Sequence, residues 1–212
     1  MDFFKPGDVV SVRHYSGVNP FKSVVVDATE DFLKMKLTKE LSIVNFLEGD
    51  PAVVGIEKEN DEHVKSNIQI IGCTITNIFK KDGIVEVCLD KLESEADQRR
   101  HERFPVSIYA DVRIKMDRKK YLAIIKDISY YGMLIFSKSE FSVGDELDFD
   151  IYMENTMAFL KCEVLRKVVD PVYNKYGLRV IYEDVNSMNF VKEYLKRLKE
   201  AQEDSVRNMK ES

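Results

Sequence analysis

The sequence predicts a mainly β protein: two small β domains in series, with an α-helix at the C-terminal end. Three observations predict this. Short apolar-rich runs separated by polar turns fill the chain as far as Leu92. That pattern then lapses into the acidic stretch Glu93-Ser-Glu-Ala-Asp-Gln98. Beyond it β patterning resumes and gives way to an apolar stripe at helical spacing. The 212 residues suit one large or two modest domains, and 44% hydrophobic residues are enough to fill two cores.

In the first region, Val9 to Val12 follows Pro6-Gly7-Asp8, and Phe21 to Ala28 carries Val24, Val25 and Val26. Phe32 to Leu37 alternates, Ala52 to Ile56 is apolar after Glu48-Gly-Asp-Pro51, and Ile68 to Phe79 is rich in β-branched residues. Ile84 to Leu89 alternates after the turn signal Lys81-Asp-Gly83. Six or seven short strands of this kind make a small barrel or sandwich.

In the second region, Pro105 to Ile114 places Val106, Ile108, Ala110, Val112 and Ile114 on one face, a period of two. Tyr121 to Ile128 and Met133 to Phe136 read as two arms of a hairpin. Further strands fit Glu146 to Met153, Ala158 to Val169 and Gly177 to Tyr182. A helix from about Met188 to Ala201 carries Phe190, Val191, Tyr194, Leu195 and Leu198 on one stripe, with Asn186 or Ser187 as its cap. The polar tail beyond Glu203 reads as frayed. Gly-Asp recurs at Gly7-Asp8, Gly49-Asp50 and Gly144-Asp145, each time ahead of a strand but at irregular spacing, which indicates shared turn chemistry and not a repeat array.

The chemistry concentrates in two places. Arg99, Arg100 and Arg103, in Gln98-Arg-Arg-His-Glu-Arg-Phe-Pro105, set three guanidiniums against one carboxylate in a chain whose net charge is -5. A guanidinium pairs in a fork with phosphate or with guanine O6 and N7, so a locally positive run suits a compact dianion. Downstream lies Asp127-Ile-Ser-Tyr-Tyr-Gly132. Asp127 accepts only, which suits the N1 and N2 donors of guanine. The hydroxyl of Ser129 donates or accepts. Gly132 has two roles open to it, a positive φ in the turn or close approach of backbone to a flat base. Tyr130 and Tyr131 either stack on a base or cover the hairpin. The two segments form one site only where the hairpin packs beside the arginine strand.

This ordered pair of motifs, Arg-x-x-x-Arg and then Asp-x-Ser-x-x-Gly, resembles the cyclic di-GMP site of PilZ domains. Phe141-Ser-Val-Gly-Asp145 and Tyr176-Gly-Leu-Arg-Val180 resemble later features of the same domain, so the likeness covers about residues 94 to 190. It implies a six-stranded antiparallel barrel with a C-terminal helix, and cyclic di-GMP as ligand of Arg99, Arg100, Arg103, Asp127, Ser129 and Gly132. A β-rich region ahead of such a domain is similar in layout to the flagellar brake (YcgR-like) proteins. The resemblance therefore implies an N-terminal split barrel over residues 1–93, a PilZ domain with linker clasp and helix over 94–212, and control of motility by contact with a flagellar stator or rotor protein.

The remaining expectations are mostly exclusions. An acidic chain without a long basic stripe is not suited to a nucleic-acid polymer. Cys73, Cys88 and Cys162 show no Cys-x-x-Cys spacing and read as reduced core thiols. Of His14, His63 and His101, only His101 lies near the arginines, and no metal-ligand spacing occurs. Ser129 has no evident base and no phosphate-binding glycine loop is present, so no catalytic role and no cofactor are expected. No signal-like start or membrane-length apolar run is found, giving a cytoplasmic expectation with recruitment to the flagellar basal body. Monomer and homodimer stay open. The alternatives are a PilZ-like interaction module that does not bind nucleotide and a small-barrel nucleic-acid binder.

Overall fold

The computed structural model describes residues 4–17, 19–38, 45–58, 67–90, 102–153 and 156–211. Six strands come first: β1 (Val9–His14), β2 (Phe21–Ala28), β3 (Phe32–Leu37), β4 (Pro51–Lys58), β5 (Asn67–Phe79) and β6 (Ile84–Leu89). They hydrogen-bond in the order β1-β2-β3-β6-β5-β4, and β4 closes on β1. Six more follow: β7 (Arg103–Ile114), β8 (Tyr121–Ser129), β9 (Gly132–Ser137), β10 (Glu146–Met153), β11 (Thr156–Val168) and β12 (Asn174–Ile181). Their order, β7-β8-β9-β12-β11-β10 with closure of β10 on β7, repeats that of the first six. The expected mainly β fold with two small barrels and one helix is therefore the fold observed, and both barrels are closed.

Alternation fills each barrel. Val10, Val12, Val25, Leu33, Met35, Val54, Ile75 and Val87 form the first interior. Ala110, Val112, Ile125, Met133, Ile135, Leu147, Phe149, Ile151 and Tyr176 are fully buried in the second. Cys73 and Cys162 are buried and Cys88 is half-buried, all as free thiols. Burial pushes the Cys162 thiol far up from its ordinary range. His14 is a core residue of the first barrel. Its Nδ1 accepts from the Ser16 amide, so Nε2–H donates to buried Asp50 at 3.2 Å, where the Tyr15 hydroxyl (2.8 Å) and the Leu47 amide (2.9 Å) also donate.

The three Gly-Asp pairs build one device three times. Gly7, Gly49 and Gly144 take φ of 93°, 91° and 93°, a region open to glycine. Each glycine amide donates to a carbonyl on the neighbouring strand, that of Val25, Ile75 or Val164, and the same residue's amide donates back to the carbonyl of Asp8, Asp50 or Asp145. The three carboxylates accept from the amides of Lys5, Leu47 and Ser142, closing the turn. Immediately past each clamped residue the ladder shifts register, between Val25 and Asp27, Ile75 and Asn77, and Val164 and Arg166. The irregular sequence spacing reflects which strands these turns precede: β1, β4 and β10. A fourth shift, between Ile125 and Asp127 on β8, occupies the equivalent place without a Gly-Asp clamp.

The helix α1 (Val185–Glu211) is longer than the sequence pattern indicated. Its cap is Asp184, two or three residues earlier than expected. The Asp184 carboxylate accepts from the Ser187 amide at 2.7 Å, and the Ser187 hydroxyl returns a bond to the Asp184 carbonyl. Val191, Tyr194, Leu195 and Leu198 are buried as expected, whereas Phe190 is 42% exposed. The stripe continues through Gln202 and Val206, both buried, so the segment beyond Glu203 is helical and packed, not frayed.

The chain divides into two compact units, residues 1–97 with 198–212, and residues 98–197. The last turns of α1 thus group with the first barrel, where the expectation assigned them to the second. Gly55 makes this possible, since a Cβ there would lie 2.4 Å from a Val206 methyl carbon. A cleft of about 430 Å3 at this end is lined by Lys5, Lys22, Lys58 and Met209. Lysines suit the partial negative charge of a helix C-terminus. Among the described residues no helix is long and apolar enough to cross a membrane.

The Ser187 amide holds the Asp184 carboxyl below the usual carboxylate range. A depressed folded-state pKa stabilises above the unfolded pKa and is lost as pH falls through the folded one. Asp184→Ala is expected to lower the urea midpoint at neutral pH, with the difference from wild type shrinking below about pH 4.

Candidate functional site

β7 brings the two motifs together by starting early. Ile108 pairs with Ile125, and β7 then continues past the bulge, so that Pro105 lies opposite Asp127 and Arg103 opposite Ser129. Pro105 has no amide to offer the ladder, and the register shift between Pro105 and Ile108 sits beside it. The same shift buries both Val106 and Ser107, a local break in the expected alternation. Arg103 Nη1 donates to Asp127 Oδ1 at 2.8 Å, with side chains 27% and 20% exposed. The sequence had placed these residues in one site, and the structure places them in contact. Arg99, Arg100 and His101 lie outside the described residues.

Ser129 and Gly132 shape the turn between β8 and β9. The buried Ser129 hydroxyl accepts from the Gly132 amide and donates to the Gly132 carbonyl, both at 3.1 Å. Its capacity is used by the backbone, which holds Asp127 two residues earlier in place. Of the two roles open to Gly132, positive φ is not the one found. A Cβ at Gly132 would lie 2.6 Å from the Leu178 carbonyl oxygen on β12, so the neighbouring strand's own backbone requires glycine here, a reason distinct from the two expected. Tyr130 covers the hairpin. It packs on Tyr182 at 5.3 Å, receives the Tyr182 hydroxyl on its carbonyl, and has Lys192 Nζ 5.3 Å from its ring centroid. Burial raises the Tyr182 phenol well above its ordinary pKa. Tyr131 meets Tyr130 edge-on at 4.6 Å and is 44% exposed, leaving its ring open to solvent.

Asp127 faces outward, in a row that the strand registers define across four strands. Leu134 of β9 pairs with it, Gly177 of β12 pairs with Leu134, and Arg166 of β11 pairs with Gly177. One step along, Arg179 pairs with Gly132 and with Glu163, to which it is salt-bridged. Gly132 and Gly177 therefore stand on the strands between Asp127 and two arginines, Arg166 and Arg179. Sequence reasoning quoted Tyr176-Gly-Leu-Arg-Val180 but had no signal for this row, because register is not written in one strand alone. Elsewhere on the barrel, Arg113 forks onto Asp150 (2.8 and 2.8 Å) and Lys120 meets Asp111 (2.9 Å), which lowers the Asp111 pKa. Those charges neutralise each other. Among the described residues no cluster of three His, Cys, Asp or Glu side chains suits a metal.

Residues 97–197 match the PilZ domain family. The second barrel is therefore a PilZ domain. No curated relative matches the sequence. Among solved structures the similarities are of low identity. The inhibitor of motility MotI/DgrA of Bacillus subtilis is 16% identical, with 92% of this chain and 98% of that one covered and a TM-score of 0.40. YcgR of Escherichia coli in complex with c-di-GMP is 11% identical over 95% and 88%, with a TM-score of 0.44. The MrkH–c-di-GMP complex of K. pneumonia is 13% identical over 93% and 90%, with a TM-score of 0.43.

Gly132→Ala pushes a methyl into backbone that neighbouring strands hold. It is expected to destabilise the ligand-free protein by about 1–3 kcal/mol, read as a lowered denaturation midpoint. An unchanged midpoint would show that β12 yields without cost.

Proposed function

We propose that this protein is a non-enzymatic cyclic di-GMP receptor that regulates flagellar motility through ligand-dependent contact with another protein. The observation that carries the ligand half is the Arg103–Asp127 pair, a fork donor and an acceptor separated by 24 positions yet touching on one outer face. Asp127 takes the N1–H and N2–H edge of a guanine. Arg103 turns its guanidinium to a phosphate or to O6 and N7. Arg99 is four residues upstream, so its Cα lies within roughly 14 Å of that of Arg103 even in extended chain. Arg99 and Arg100 then close over the ligand from the linker, while Ser129 and Gly132 hold the turn that presents Asp127.

The motility half rests on layout, a β-barrel placed ahead of the PilZ domain as in the flagellar brake arrangement. The partner is a stator or rotor protein, reached from the cytoplasm at the flagellar basal body. A partner that prefers the ligand-bound form strengthens ligand binding by the same factor. That linkage makes the reading measurable with purified components.

Calorimetric titration of the purified protein with cyclic di-GMP is expected to give saturable heat, and Arg103→Ala to weaken binding by about 1.5–3 kcal/mol, the range for losing charge-assisted hydrogen bonds. Absence of heat at high micromolar ligand would leave the interaction-module reading in place. A strain carrying Arg103→Ala in place of the wild-type gene is expected to swim as the deletion strain does.

A further inference from the structure

The geometry points to Arg166 as a further arm of the nucleotide site, closing on the ligand from the side opposite Asp127. This inference rests on the cyclic di-GMP reading above and adds a residue that neither motif contains. Arg166 and Asp127 occupy equivalent places in the barrel, each the first paired residue past the bulge on its strand, β11 or β8. Both face outward, in the single row Arg166, Gly177, Leu134, Asp127. Three strand steps of about 4.8 Å separate the ends of that row by roughly 14 Å. A purine and an arginine side chain together span that gap.

The side chain is laid in the required direction. A Cβ on Gly177 would lie 2.5 Å from Arg166 Nε and 2.7 Å from its Cγ, so the stem crosses β12 over the bare glycine and heads towards β9. Charge supplies a second argument. On β11 and β12, Lys161 pairs with Glu183, Lys167 with Glu140, Lys175 with Asp170 and Arg179 with Glu163. Among the described residues Arg166 is the one cation of these two strands with no carboxylate. A guanine laid over Leu134 with its donor edge at Asp127 presents its N7 and O6 acceptors away from that carboxylate, towards the guanidinium fork.

The test compares wild type, Arg166→Ala, Arg166→Lys and Arg103→Ala by calorimetric titration with cyclic di-GMP, alongside urea denaturation of each ligand-free protein. Arg166→Ala is expected to weaken binding roughly 10- to 100-fold at an unchanged denaturation midpoint, and Arg166→Lys to recover part of the loss. Arg166→Ala within twofold of wild type, with Arg103→Ala still weakened, overturns the role of Arg166 and leaves the receptor reading standing. A loss of affinity accompanied by a lowered midpoint also overturns it, since the effect is then structural. No heat with wild type removes the receptor reading, and the role of Arg166 with it.

Discussion

Everything in the candidate site depends on how the ladder of β8 is broken. A six-stranded barrel is small, and its strands must coil sharply to close, which bulges accomplish by placing two residues against one. Each barrel carries the break on its second and fifth strands. At three of these four places a glycine with positive φ and the aspartate after it bond the preceding residue from the adjacent chain, and the entering strand goes no further. At the fourth the adjacent chain carries no such turn. β7 runs on alongside β8 through Pro105 to Arg103, and that extension sets a guanidinium beside Asp127. The Arg103–Asp127 contact thus occupies the one of these four corners from which the structural clamp is missing.

The turn after β8 gives that contact a fixed partner. Ser129 and Gly132 exchange two hydrogen bonds, the Leu178 carbonyl leaves no room for a side chain, and the Tyr130–Tyr182 pair seals the far side. Asp127 is therefore presented by backbone that has little freedom, whereas Arg103 lies at the very start of its strand. In the proposed receptor, an acceptor on a stiff element and a donor at a strand's beginning would divide the work of recognition, with preorganisation on one side and adjustment on the other.

The strands were legible because their residues alternate and their boundaries carry Gly-Asp or Asp-Gly signals. β2, β3, β6 and β10 match the reading end to end, and β5 differs by one residue. The helix end was not legible, since buried Gln202 interrupts the apolar stripe just where the chain turns polar. The structural reason for Gly132 was not legible, since it lies in the Leu178 carbonyl of β12 and not in either role its sequence position suggested. Arg166 gave no signal at all. Its meaning comes from pairing across β12 and β9, and a bulge that shifts register by one residue cannot be read from either strand by itself.

The ion pair between Arg103 and Asp127 has a consequence for competition among ligands. A bare cluster of arginines would collect inorganic phosphate and adenine nucleotides alike. Here any anion that draws Arg103 away leaves Asp127 one donor short in a position only a fifth exposed, and that deficit counts against the newcomer. A guanine brings N1–H and N2–H side by side, two donors for the two carboxylate oxygens, whereas adenine sets its single N6 amino donor beside the N1 acceptor, which the carboxylate repels. On the proposed receptor reading, the internal bridge acts as a reserve price set on the arginine, and a base edge with two adjacent donors is suited to meet it.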